Sequence, residues 1–227
     1  MDNNMYNNTQ VGRIDGKNCF LEILSDMFDR NKVIIKFISY DERTHKQTGC
    51  IPVFLSIEDF LVLCEDINMG TLSRKAFALK NEGKGDKIYE KLGGTVSQGA
   101  VASRVFQIFP ATKSRSALFM FSAILASGIR QDTGLITPDY KKPFSRIMVP
   151  VSENDIRGLF LKTKLRIEAF YCYQSVSGAF GSSVPGTQAS PDVPQQVVRR
   201  SEEEKNHKTY EGCKYSLVND YYPAAVS

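Results

Sequence analysis

Basic and aromatic side chains are interleaved in the middle third of this 227-residue chain. Residues 70–150 carry 13 basic and 5 acidic side chains, residues 1–69 carry 7 and 11, and residues 151–227 carry 9 of each. Cations neutralise phosphates and flat rings stack on bases, so this combination suits sequence-independent binding of single-stranded nucleic acid. A solvated, lysine-rich surface gives the same balance, and on charge alone it is the more common explanation.

The candidate binding residues lie on strand-like segments and on one basic turn, ATKSR. In SRVFQIFP, alternation places Arg104 and Phe106 on one face, and in ALFMFSAIL it places Phe119 and Phe121 together. TLSRKAFALK also reads as strand-like. A single Phe in a strand is more often a core residue, whereas the cations should be exposed in either case. The predicted nucleic-acid-binding set is Lys36, Tyr40, Arg74, Lys75, Phe77, Lys80, Arg104, Phe106, Lys113, Arg115, Phe119 and Phe121.

The sequence offers no recognisable catalytic or metal-binding pattern. EGKGDK lacks the GxxxxGK[ST] spacing of a phosphate-binding loop. The acidic pair at 41–42 is explained by solvation of a turn, and the pair at 58–59 by capping of a helix. With only His45 and His207, and no CxxC, a zinc site is not expected. We therefore expect neither an enzyme nor a cofactor.

Cysteine usage and the N-terminus favour a cytoplasmic protein. The cysteines are odd in number and mostly embedded in apolar runs, which favours buried thiols over a disulfide framework. The N-terminal MDNNMYNNTQ is unlike a signal or transit peptide. The longest apolar run, residues 117–129, is too short to span a bilayer, so no membrane partner is expected.

Two similar phrases, IPVFLSIEDFLVL and IMVPVSENDIRGL, lie 96 positions apart. In each, an apolar strand leads to a serine, Ser56 or Ser152, with an aspartate three positions later, as in a capping box. The apolar spacing that follows predicts a helix. KVIIKFISY and CIPVFL predict strands joined by a polar hairpin, and Pro52 places the second strand at a sheet edge. The predicted class is α+β, with two pseudo-repeated antiparallel sheet units, each followed by a helix.

Composition sets the expected boundaries. Residues 1–18 read as a flexible arm, 19–174 as one nucleic-acid-binding domain with repeats 19–67 and 71–174, and 175–227 as a disordered tail. The stretch 81–99 holds five glycines and six charged residues and is expected to be a long loop. The end of the tail, YSLVNDYYPAAVS, is either a docking motif for a protein partner or an inert terminus.

The order of these elements resembles the Whirly family of single-stranded-DNA-binding proteins, related in fold to the positive-cofactor-four coactivators and the trypanosome mitochondrial guide-RNA-binding proteins. The resemblance rests on KVIIKFISYDERTHKQTGCIPVFLSIEDFLVL and on SRVFQIFP through FSRIMVPVSENDIRGL, within residues 19–174. The lysine-glycine-lysine-alanine-alanine-leucine motif of plant members is absent, with GRIDGKNCFLEIL in the comparable place, and their helix-terminal tryptophan is absent too. The resemblance implies a Whirly-like fold, a homo-oligomer (a tetramer) packed through its helices, and binding on the sheets.

The leading hypothesis is a cytoplasmic, homo-oligomeric protein that coats or protects single-stranded DNA in replication, recombination, repair or plasmid transfer. Two alternatives stay open. One is a transcriptional regulator or RNA-binding protein that uses the same sheets, and the other is an interaction module that binds no nucleic acid.

Overall fold

The computed structural model describes residues 9–97 and 100–180. The first half is a four-stranded antiparallel sheet in the order β1-β2-β3-β4, followed by two helices. Its elements are β1 (Gln10–Asp15), β2 (Cys19–Leu24), β3 (Lys32–Tyr40), β4 (Gln47–Ser56), α1 (Ile57–Asn68) and α2 (Thr71–Asn81), with one 3₁₀ turn at Phe28–Arg30.

The second half repeats this plan with a sheet in the order β5-β6-β7-β8 and one helix. Its elements are β5 (Tyr89–Ser97), β6 (Ala100–Pro110), β7 (Phe119–Arg130), β8 (Ile136–Val151) and α3 (Glu153–Phe180). The predicted α+β class, two antiparallel sheets each followed by a helix, is confirmed. Through Phe170 the described chain forms one compact unit, and a separate unit begins at Tyr171.

The two serine caps are confirmed. Ser56 Oγ accepts the Asp59 N–H at 3.1 Å and donates to the Asp59 carboxylate at 2.7 Å. Ser152 and Asp155 repeat the arrangement at 3.1 and 2.6 Å. In both cases the aspartate bonds to the serine hydroxyl, whereas the longer glutamate of a standard capping box reaches the backbone. Each cap fixes the start of the helix that closes its sheet.

One continuous core joins the two halves. The rings of Phe37 and Phe106 lie 6.0 Å apart between the sheets, and those of Phe60 and Phe160 lie 4.8 Å apart between α1 and α3. Phe121 links the second sheet to Phe160 at 6.3 Å. The pseudo-repeats therefore bury their apolar faces against each other and share one core.

Strand β8 of the second sheet bends back over the face of that sheet that points away from the shared core. The pairing of β7 with β8 shifts register on both sides of Ala126. Tyr140 of β8 thereby donates to Glu90 of β5 at 2.8 Å, although these strands lie at opposite edges of the sheet. A second, small apolar cluster is buried at this end of the sheet, formed by Val105, Ile124 and Ala126 with Leu92 packed against it.

Three expected boundaries were wrong. Residues 10–15 of the expected flexible arm form β1, which buries Val11 and Ile14. The strand expected over 71–80 is helix α2, because Leu72, Ser73 and Ala76 supply a helical stripe that faces the core. The expected loop at 81–99 contains β5, in which Gly94 is required because a Cβ there would lie 2.5 Å from Ile136 Cβ.

Other expectations have mixed outcomes. The strand containing Pro52 is an edge strand, as predicted. Helix α3 continues past 174 to Phe180, so the tail does not begin at 175, and residues 1–8 and 181–227 lie outside the described part. Cys19 and Cys64 are buried free thiols and Cys172 is an exposed one. Cys50 is disulfide-bonded, so the expectation of thiols was wrong there.

Candidate nucleic-acid interface

Three of the predicted stacking residues belong to the core. Phe106, Phe119 and Phe121 have no solvent-exposed surface. Phe106 contacts the rings of Phe37 and Tyr89, with centroids 6.0 and 5.7 Å apart. A base cannot stack on a ring that both sheets already cover, so the prediction was wrong for these three residues.

Two predicted residues lie on the first sheet, in different surroundings. The Lys36 side chain is only 15% exposed and its ammonium lies 3.4 Å from the Glu22 carboxylate, which balances its charge. Tyr40 is half-buried, donates to the Lys17 carbonyl at 3.2 Å, and lies 6.3 Å from the Phe20 ring. Lys36 is therefore a weak candidate for phosphate binding, whereas Tyr40 stays at the surface.

Helix α2 carries the next four predicted residues. Arg74, Lys75 and Phe77 are exposed on the helix, and Phe77 keeps 49% of its surface in contact with solvent. Lys80 points to the β6–β7 turn, where its ammonium donates to the carbonyls of Ser114 and Ala117 at 2.7 and 2.9 Å. Lys80 thus ties the end of α2 to the turn.

That turn presents Lys113 and Arg115 to solvent. The Ala117 N–H donates to Ser114 Oγ at 3.0 Å, so side chains hold the turn from within as well as from α2. In the described part of the chain, neither Lys113 nor Arg115 forms an ion pair. We call Lys80, Lys113 and Arg115 the basic corner, a fixed cationic site of the kind that attracts phosphate.

Three arginines lie over phenylalanine rings on the sheets. The guanidinium of Arg13 is 3.5 Å from the Phe20 centroid, that of Arg104 is 5.9 Å from Phe54, and that of Arg146 is 5.6 Å from Phe109. Arginine planes and aromatic faces both stack on bases. Of these six residues, only Arg104 was in the predicted set.

The Arg146–Phe109 pair best fits a binding role. Arg146 is exposed, and its Nε donates to Ser122 Oγ at 3.1 Å, which orients the guanidinium. Phe109 is half-buried and lies in β6 just before the turn that carries Lys113. Arg13, by contrast, is paired with Asp15, so its charge is already balanced. Cations and a ring thus adjoin on the outer face of the second sheet, the face opposite the shared core.

Sequence alternation contained the signal for Phe109. It places Phe109 on the face opposite Phe106, and only one of these faces can meet the first sheet. Because Phe106 was assigned to the outside, Phe109 was missed. In the structure Phe121 is buried opposite Ile108, which shows that the face shared by Ile108 and Phe106 is the inner one.

An acidic group lies on the same face close to Arg146, because Glu90 is opposite Gln107 and Gln107 is opposite Ser122, which accepts the hydrogen bond from Arg146. Burial raises the pKa of Glu90, but hydrogen bonds from Lys87, Gln107 and Tyr140 outweigh it and bring the pKa below its usual value. Burial, and then the bond to Glu90, raise the pKa of Tyr140 to about 12. Glu90 therefore stays ionised at neutral pH and disfavours phosphate beside Arg146, so the basic corner is the favoured place for phosphate.

The described residues hold no group of three or more side chains that could bind a metal ion. No helix among them is long and apolar enough to cross a membrane.

No family model and no curated protein matches this chain. Among solved structures it is similar to one described as the structure of the plant transcriptional regulator PBF-2, with a TM-score of 0.43 and 13% sequence identity. The match covers 77% of this chain and 96% of that chain. This similarity is too distant to support an inference about function.

Proposed function

We propose that this protein binds single-stranded DNA largely without regard to sequence, through the outer face of the second sheet and the basic corner. The observation that carries the proposal is the Arg146 guanidinium, 5.6 Å from the Phe109 ring and beside a turn with two exposed cations. Bases would stack on this pair while phosphates pass Lys113 and Arg115. Neither contact reads a base edge, so the protein would coat strands, as replication, recombination, repair or plasmid transfer requires.

Two physical terms would set the affinity. A base stacked on an aromatic side chain contributes about 1–3 kcal/mol. Each phosphate neutralised on a single strand adds about 0.7 to the slope of log affinity against log salt. One stacking pair and two phosphate contacts together contribute about 3–5 kcal/mol, which corresponds to a Kd of about 1 mM for a single site. Several copies on one strand would bind more tightly.

Fluorescence anisotropy with labelled oligonucleotides tests the proposal directly. We expect similar affinity for single strands of different sequence, weaker binding to duplex of the same length, and loss of binding as salt rises. Equal affinity for duplex and single strand, or none for either, would refute it. Charge reversal at Arg74, Lys75, Lys113 and Arg115 with function unchanged would favour the interaction module instead.

A competition experiment separates DNA from RNA. Unlabelled DNA and RNA of one sequence and length are titrated against a bound DNA probe. We expect DNA to compete at least as well, since the contacts proposed are with bases and phosphates. RNA competing about tenfold better would favour an RNA-binding or regulatory protein that uses the same sheet.

We also propose that copies associate through α1 and α3, with a tetramer as the expected assembly. Val62 of α1 and Leu165 of α3 are 63% and 65% exposed, and a contact between copies through these helices would bury them. Lys164 donates to Glu65 at 2.6 Å and joins the two helices into one surface. Light scattering on native protein and Leu165→Glu tests this, and an unchanged mass would refute it.

A further inference from the structure

Among the described residues, one edge of strand β1 is paired with no other strand. It is the outermost strand of its sheet, and in the described residues it is hydrogen-bonded as a strand to β2 alone. The Gly16 N–H donates to the Cys19 carbonyl at 2.7 Å, and bonding alternates along an antiparallel pair. Ile14 therefore directs its backbone groups toward β2, whereas Arg13 and Asp15 direct theirs outward.

The space beside this edge is open. A cleft of about 380 Å³ lies between β1 and the start of α3, lined by Gly12, Arg13, Ile14, Asp15, Asp155, Gly158, Leu159 and Lys162. A Cβ added to Gly158 would meet nothing within 4 Å, so α3 does not close the cleft at this turn. An extended segment can therefore approach the outward groups of Arg13 and Asp15.

We propose that this edge pairs with β1 of a second copy, antiparallel about a twofold axis at Ile14. That register places Arg13 opposite the partner's Asp15, and Asp15 opposite the partner's Arg13. Both are residues whose backbone groups face outward, so each pair can exchange backbone hydrogen bonds. Each chain's own Arg13–Asp15 ion pair would then meet the partner's with opposite charges facing each other.

The charges select this occupant and register over others. An axis at Arg13 or at Asp15 would also let the outward backbone groups pair. It would, however, place Arg13 opposite the partner's Arg13, or Asp15 opposite the partner's Asp15, and like charges opposite each other are destabilising. Charged edge strands normally prevent association with other chains. Here the charges complement a second copy, because Arg13 and Asp15 lie on one face and have opposite signs.

The contact is short, so it should be weak and should depend on concentration. The contact lies at the edge of β1 beside the start of α3 and uses neither Val62 and Leu165 nor the outer face of the second sheet, so it stands whether or not the chain binds DNA. On a coated strand it would join neighbouring assemblies edge to edge.

Sedimentation velocity of the full chain over a range of concentrations tests the pairing. Arg13→Asp puts acidic residues opposite each other, and Asp15→Arg puts basic residues opposite each other. We expect each variant alone to self-associate at least about tenfold more weakly than the native chain. Arg43→Asp, the same charge change on an exposed arginine of the β3–β4 turn, should have no effect.

An equimolar mixture of the two variants is the decisive test of the β1–β1 pairing. Across the axis it pairs an acidic position 13 with a basic position 15, and an acidic position 15 with a basic position 13. We expect the mixture to recover the association of the native chain, which a variant that failed to fold could not do. Variants that associate like the native chain, a mixture no heavier than its components, or a native mass independent of concentration would each overturn the proposal.

Discussion

Replacing Lys113 and Arg115 with glutamine should reduce the salt dependence of single-strand binding by a calculable amount. Both side chains are exposed on a turn that Lys80 and Ser114 hold in place, so the substitutions remove charge without removing a structural contact. Each phosphate contact contributes about 0.7 to the slope of log affinity against log salt concentration. Losing two contacts should therefore lower the slope by about 1.4.

The same relation gives the change in affinity. At about 0.1 M salt, two lost contacts weaken binding by about 1.4 log units, or about twenty-five-fold, which is about 2 kcal/mol. Near 1 M salt the difference should vanish, because the contribution from counterion release approaches zero there. The double variant should thus match the native protein at high salt and diverge from it as salt is diluted.

Fluorescence anisotropy with a labelled oligothymidine, titrated at four or more salt concentrations, measures both quantities. The matched control is Arg43→Gln with Lys46→Gln, which removes two exposed cations from the β3–β4 turn. The control should keep the native slope. A native slope in the turn variant, or an equal loss in the control, would show that the turn does not contact phosphate and that only net charge matters.

Three further outcomes follow from the packing and the charges. Phe109→Leu should weaken single-strand binding by about 1–3 kcal/mol in anisotropy, whereas Phe121→Leu, in the core, should lower the free energy of unfolding in urea and leave the affinity of the folded protein unchanged. Gly94→Ala should destabilise the fold by about 1–3 kcal/mol, because its Cβ would overlap Ile136; Gly85→Ala, where a Cβ meets nothing, is the control and should be near neutral. Hydrogen bonds from Lys91 and Ser56 lower the pKa of Asp59 below its usual 3.8. The ionised carboxylate therefore contributes its full stabilisation above pH 3.8, and this contribution is lost as the pH falls through the lower pKa of the folded state. Urea unfolding of native protein and Asp59→Asn should show a difference that shrinks in that acidic range, and a constant difference would contradict this.

The sequence predicted the features that local chemistry determines. A serine followed by an aspartate and helical spacing is a signal contained in a few residues, so both capped helices were found. Residues 71–80 were misassigned as a strand because most of the segment is polar and few of its residues, among them Leu72 and Ala76, are buried. The glycines of β5 were read as loop residues, although Gly94 is needed where β8 crosses close to that strand.

The binding face was harder to predict from the sequence, because alternation groups residues by face but does not show which face is buried. Phe119 and Phe121 were correctly grouped on one face of their strand, and the choice between core and surface then depended on where the first sheet packs. That contact joins residues far apart in sequence, such as Phe37 and Phe106. The exposure of cations was easier to predict than the exposure of aromatic rings, because a charged side chain is rarely buried whichever way its strand packs.

The pseudo-repeats have therefore diverged on their outer faces while sharing one core. On the first sheet, Glu22 balances Lys36 and Asp15 balances Arg13, so cations there are matched by acids on the same surface. On the second sheet, Arg146 has a serine and a ring for partners, and the adjoining turn adds cations without acids. Four of the thirteen basic residues of 70–150 thus lie near one half-buried ring: Lys80, Lys113, Arg115 and Arg146. If the turn variant loses its salt dependence while the first sheet tolerates neutralisation of Lys36, one repeat binds nucleic acid and the other supports it.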